Sequence, residues 1–245
     1  MRPELAVLAA AAGGALATMA VFALSPARRA EDELESPARG NFVLGSFVRR
    51  WFYWSIRPAE KASLALGLSP LFYNLLGVLL GAAAGWLFAS GRFATAGWAV
   101  LLSGAADALD GRIARARGLA SPRGAFLDST LDRFAEVAVF VGLAVAFRAS
   151  GPALAILTAA LGGSLLVSYA RARGESQGVL CTLGVMQRAE RLLLVGFGAI
   201  LDGGGSALAG RGQGAFLLGV LALTAAGTVA TAVFRTVWIA RRLPG

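Results

Sequence analysis

"DALDGRIARARGLASPRGAFLDSTLD", residues 107–132, sets four aspartates and four arginines inside a chain that is otherwise strongly apolar. Of the 245 residues, 57% are hydrophobic and 15% charged, and the mean hydropathy is +0.67. Soluble domains carry about a quarter of their residues as charges, so this balance predicts an integral membrane protein. Uncharged runs long enough to cross a hydrocarbon core of about 30 Å lie at 5–27, 62–91, 149–170 and 212–234. Three further apolar runs, near 93–117, 124–147 and 188–204, reach spanning length only when charged residues are admitted at one end of each. The quoted stretch joins the first two of these.

The sequence therefore predicts an all-α, polytopic membrane fold. Its core has six spans, at about 68–91, 94–117, 124–148, 151–173, 186–203 and 213–240, and an extra transmembrane helix precedes them. Residues 5–25, "LAVLAAAAGGALATMAVFALS", read as an anchor in preference to a signal peptide, because the apolar run is long and "SPARRAEDELE" makes a poor cleavage site. A polar linker of mixed charge occupies 26–40, so residues 1–40 form one unit. Within 41–64, "VLGSFVRRWFYWSIR" combines aromatic side chains with Arg49, Arg50 and Arg57, the composition of an amphipathic helix lying in the membrane interface. An ordinary juxtamembrane connector is the alternative. Residues 65–245 form the remaining unit, and no internal repeat marks a duplicated carrier.

The net charge of +9 comes almost wholly from arginine, Lys61 being the only lysine. If the spans alternate, 28–61, 111–123, 171–191 and 235–242 share one side with eighteen Lys and Arg, against Arg2, Arg92, Arg148 and Arg211 on the other. The positive-inside rule makes the richer side cytoplasmic. This predicts a multi-pass protein of the inner membrane, in contact with membrane lipids and with its acidic cluster at the cytoplasmic face. The basic residues do not alternate with aromatic ones in a stripe, so nucleic acid is not expected as a partner. A single cysteine, Cys181, excludes an internal disulfide, and the absence of histidine excludes a Ser-His-Asp triad or a histidine-ligated zinc site.

Asp107 and Asp110 are three residues apart on one span, and Asp128 and Asp132 are four apart on the next. On a helix each pair falls within about 60° of one face. The connection contains Gly118, Pro122 and Gly124 and is short enough to make the two helices antiparallel neighbours. Each unpaired carboxylate at membrane depth costs about 2.5 kcal/mol or more, so positive charge must lie among them. The flanking Arg112, Arg115, Arg117 and Arg133 are one source, with the acids then serving packing alone. Divalent metal is the other, and oxygen-only ligands suit Mg²⁺, Mn²⁺ or Ca²⁺. Two facing carboxylate pairs can hold two ions about 3.5–4 Å apart, an arrangement suited to phosphoryl displacement. A membrane carrier using the acids as a proton relay is the competing class.

The pattern Asp107-x2-Asp110-Gly111-x2-Ala114-Arg115-x8-Gly124-x3-Asp128-x3-Asp132 resembles, without gap or substitution, the signature of the CDP-alcohol phosphatidyltransferase family. The resemblance covers about residues 65–242 and is most like the bacterial phosphatidylinositol-phosphate synthases. It implies transfer of a phosphatidyl group from CDP-diacylglycerol to an alcohol with release of CMP, and a homodimer as the common assembly. It further implies two ions, Mg²⁺ or Mn²⁺, on Asp107, Asp110 and Asp128, with Asp132 completing the site and acting as general base. Gly111, Ala114 and Arg115 would line the CDP pocket. Asn74 resembles a Pro-Asn element of the family, although here Pro70 stands four residues upstream instead of adjacent.

The signature does not name the acceptor. Arg171 with Arg173, and Arg188 with Arg191, bracket a short loop, and Arg235 falls on the same side in the last span. Guanidinium groups so placed favour a phosphate monoester, although arginines at helix ends can also serve topology by snorkelling to headgroups. "SYARAR…RAERLLL" is similar to the corresponding segment of enzymes that take inositol phosphate, and by that likeness Ser168 would touch the inositol ring. Gly174 stands where those enzymes often have alanine. Glycerol-3-phosphate is the competing acceptor.

Overall fold

The computed structural model describes residues 3–25 and 45–244. Eight helices follow one another: α1 (Pro3–Leu24), α2 (Gly45–Ala65), α3 (Pro70–Ala89), α4 (Phe93–Ala116), α5 (Pro122–Ala146), α6 (Gly151–Ser176), α7 (Arg188–Leu208) and α8 (Ala215–Ala240). No strand occurs among the described residues. The fold is thus all-α and polytopic. By length and composition α3, α6, α7 and α8 are each able to cross a membrane, with mean hydropathies of 1.7, 1.8, 1.3 and 2.0. α4 and α5 are as long, at 24 and 25 residues, but carry the acids. The polar linker expected at 26–40 lies outside the described residues, while the amphipathic stretch is helical throughout 45–65.

Local chemistry sets the helix starts. Ser69, Ser121 and Ser150 each accept the backbone N–H of the residue three further on, and each is followed by proline within the first two helical positions. At the far end of α4, Gly118 takes φ +64° and Leu119 N–H donates to the Ala114 carbonyl at 2.8 Å, closing the helix with a left-handed turn.

The helices pack through small residues, as expected where lipid gives no hydrophobic drive between them. On α3, Gly77, Gly81 and Gly85 recur every four residues. A Cβ on Gly81 would lie 2.7 Å from the Ala135 Cβ of α5, and one on Gly142 would overlap the Gly85 backbone. α3 thereby lies against both α4 and α5, α4 crosses α7 where Gly97 meets Gly196, and α6 pairs with α8 where Gly163 meets Thr228. Phe88, Val100, Leu143, Leu217 and Leu221 fill the interior. Large apolar side chains such as Leu79, Trp86 and Leu223 stand exposed on the outside, the surface that a bilayer solvates.

Polar groups inside are satisfied locally. Asp202, fully buried in α7, accepts the backbone N–H groups of Gly214 and Leu217 and the Ser206 hydroxyl, so it caps α8 at the end opposite the acidic cluster.

Candidate active site

The N-terminus of α5 lies beside the C-terminal half of α4 because only residues 117–121 connect them. Asp107 and Asp110 project from α4, and Asp128 and Asp132 from α5. α3 supplies the floor, where Ser103 donates to the Gly77 carbonyl at 2.9 Å. Asp107, Asp110, Asp132 and Asn74 all line one small cleft, together with Tyr73 and Leu131. Asn74 Nδ2 donates to the Pro70 carbonyl at 3.3 Å, so the upstream proline still fixes the asparagine, through its carbonyl.

Carboxylate oxygens of Asp107, Asp110 and Asp128 lie within 4.8 Å of one another. Three hard oxygen donors at that spacing, one of them on the buried Asp110, suit a divalent cation such as Mg²⁺ or Mn²⁺. Two of the flanking arginines are bound elsewhere. Arg112 is committed to Glu60 of α2 at 2.6 Å, and Arg117 to the carbonyls of Gly67 and Leu68 at 3.2 and 3.0 Å. Gly111, Ala114 and Arg115 follow the cluster along α4, each half-buried.

Asp132 stands apart from that trio. Its Oδ1 accepts from Arg188 Nη2 at 2.5 Å, and Arg188 Nε lies 3.8 Å from Asp107 Oδ2. A residue expected at the acceptor pocket thus touches two of the four signature aspartates directly. Arg191 is buried one turn along α7, with Nε 3.3 Å from Glu136 Oε1. Ser168 donates to the Ser164 carbonyl at 3.2 Å, and Arg171 lies half-buried further along α6. Arg235 is buried and donates from Nε to the Leu183 carbonyl at 2.8 Å and from Nη1 to Val167 at 3.0 Å. Those two bonds tie the 177–187 connection to the end of α6.

Three residues at or near the site escape sequence reasoning. Glu136 extends the Asp128, Asp132 period by one more turn, a signal that was available in the spacing. Ser164, which donates to Glu136, and Glu60, which pairs with Arg112, carry no local signal because their partners are 28 and 52 residues away.

A family model described as CDP-alcohol phosphatidyltransferase matches residues 68–238. The chain belongs to the CDP-alcohol phosphatidyltransferase family and is an enzyme of that class. It is 38% identical over 131 residues to the archaetidylinositol phosphate synthase of Methanothermobacter thermautotrophicus, covering 53% of this chain and 65% of that protein. It is 37% identical over 164 residues to the phosphatidylinositol phosphate synthase of Mycobacteroides abscessus, covering 65% of this chain and 74% of that protein. Among solved structures it resembles the phosphatidylinositol phosphate synthase of Mycobacterium tuberculosis with CDP-DAG bound. The TM-score is 0.64 at 31% identity, over 74% of this chain and 92% of that one. The same enzyme in complex with manganese and citrate matches at a TM-score of 0.63 and 32% identity, over 74% of this chain and 88% of that one.

Proposed function

We propose that the protein transfers the phosphatidyl group of CDP-diacylglycerol to a phosphorylated alcohol, inositol phosphate, at the cytoplasmic face of the inner membrane, releasing CMP. The observation that carries this reading is the contact between Arg188 and Asp132. It sets a phosphate-binding group against the carboxylate best placed to accept a hydroxyl proton. Relatives named for inositol phosphate products support the same acceptor.

The acceptor hydroxyl attacks the phosphorus that carries the diacylglycerol, the bond from that phosphorus to the CMP oxygen breaks, and the hydroxyl proton passes to Asp132. While paired with Arg188, Asp132 is a weaker base. An arriving phosphate monoester competes for the guanidinium, draws it from the carboxylate and frees Asp132 beside the hydroxyl to be deprotonated. Asp107, Asp110 and Asp128, with Asp132 completing the set, would hold two divalent ions, which when bound neutralise charge on the diphosphate and on the leaving CMP. Gly111, Ala114, Arg115 and Asn74 belong to the nucleotide side of the cleft. Arg171, Arg188 and Arg191 belong to the acceptor side, with Ser168 between helices and Arg235 anchoring the loop. A homodimer is the assembly we expect.

The experiment is an acceptor panel with labelled CDP-diacylglycerol and Mg²⁺ or Mn²⁺ in detergent, offering inositol phosphate, glycerol-3-phosphate, serine and free inositol. Inositol phosphate is expected to be consumed. Consumption of glycerol-3-phosphate alone would overturn the acceptor, and no CMP release with any alcohol would favour a carrier.

A further inference from the structure

The acidic stripe of α5 does not stop at Asp132. Glu136 continues it by one turn, so that Asp128, Asp132 and Glu136 recur every four residues. α7 presents Arg188 and Arg191 to this stripe. Arg188 takes Asp132, and Arg191 takes Glu136. The second pair is the more enclosed, with side-chain exposures of 5% for Arg191 and 11% for Glu136. Ser164 of α6 donates to the same carboxylate oxygen, so three helices meet at Glu136.

Arg191 spends two of its nitrogens inside the protein, Nε on Glu136 and Nη1 on the Met186 carbonyl at 3.3 Å. Its Nη2 is buried and has no hydrogen-bond partner among the described residues. A buried guanidinium nitrogen left in that condition is unfavourable, and an anionic oxygen is the partner that suits it. Glu136 also decides where the guanidinium lies. Without this carboxylate, the nearest acids along the stripe are Asp132 and the metal-binding cluster, where Arg188 already sits. Arg191 would then compete for the groups that hold the cation.

We propose that Glu136, braced by Ser164, is a positioning residue that holds Arg191 clear of the metal-binding carboxylates and keeps its remaining donor for the phosphate of the acceptor. The inference rests on the reading of a phosphorylated acceptor given above.

Steady-state kinetics of the full chain with CDP-diacylglycerol and inositol phosphate test it. Glu136→Gln is expected to raise KM for inositol phosphate about tenfold or more, the effect of weakening a charged hydrogen bond. Ser164→Ala is expected to raise it a few-fold, with kcat and KM for CDP-diacylglycerol within about twofold of wild type in both variants. Because Glu136 acts through Arg191, adding Glu136→Gln to Arg191→Gln is expected to change KM little further. If Glu136→Gln does not fold, Ser164→Ala carries the same test. An unchanged KM for the acceptor, equal loss at both substrates, or additive effects in the double variant would overturn the proposal. A wild type that uses no phosphorylated alcohol overturns the acceptor reading and this inference together. A wild type that does use one, alongside unaltered Glu136→Gln and Ser164→Ala enzymes, overturns this inference alone.

Discussion

Arg112 donates from Nε to Glu60 at 2.6 Å and joins α4 to α2, with both side chains almost wholly buried. The guanidinium also lies over the Tyr53 ring, 5.2 Å from its centroid. Arg112 is two residues beyond Asp110, so the pair fastens the end of α4 that carries Asp107 and Asp110 to a helix outside the region matched by the family model. Removing one partner of a buried ion pair leaves the other charge uncompensated, at about 3–5 kcal/mol. Glu60→Ala is therefore expected to lower the unfolding midpoint in detergent substantially. Glu60→Met with Arg112→Met should recover much of the loss. A midpoint for Glu60→Ala equal to that of wild type would show that the pair does not hold α2 in place.

The cation site can be checked without turnover. Asp128→Asn is expected to weaken Mn²⁺ binding, followed by electron paramagnetic resonance, by more than the roughly 10–100-fold that loss of an outer-sphere partner costs. Asp202→Asn is the control. It should reduce stability, since Asp202 accepts the amides that start α8, yet leave Mn²⁺ affinity unchanged. Equal loss of Mn²⁺ in both variants would point to general unfolding.

Division of the cleft into donor and acceptor sides is tested by Arg188→Ala and Arg171→Ala. Each is expected to weaken a phosphate-bearing acceptor about 10–100-fold, the range for charged hydrogen bonds, while CDP-diacylglycerol binding stays nearly intact. Comparable loss of donor affinity would argue against separate pockets.

Close contact between α3 and α5 predicts intolerance to size at Gly142. Gly142→Val forces side-chain atoms into the Gly85 backbone and is expected to cost about 1–3 kcal/mol or more by overpacking. Gly162→Ala has no atom within 4 Å of its new Cβ and should be neutral or slightly stabilising, by up to about 1 kcal/mol from helix propensity. Thermal unfolding of the two variants distinguishes a tight helix contact from a loose one.

Much of the helical frame is legible in the sequence. The apolar runs place the six core helices to within a few residues, but Pro122 and Gly124, read as part of the connection, lie inside α5, because Ser121 caps that helix and proline suits its first turn. The aspartate spacing named the cluster because spacing within a helix is a local property. Arg235 illustrates the limit. Its position on the arginine-rich side expected from the sequence placed it with the acceptor arginines, but its Nε and Nη1 are bound to carbonyls 52 and 68 residues away. Sequence could assign it a side of the membrane but not a partner.

The helices and the faces on which the four aspartates lie follow from the sequence alone, because period, capping and hydropathy act over a few turns. Tertiary structure alone decided which charge meets which: Arg188 with Asp132, Arg191 with Glu136, Arg112 with Glu60. Those pairings depend on how closely neighbouring helices approach and at what register. Bare glycine contacts bring the helices that close: Gly85 on Gly142 seats α5 against α3, and Gly97 on Gly196 seats α7 against α4, where the absence of a side chain lets two backbones touch.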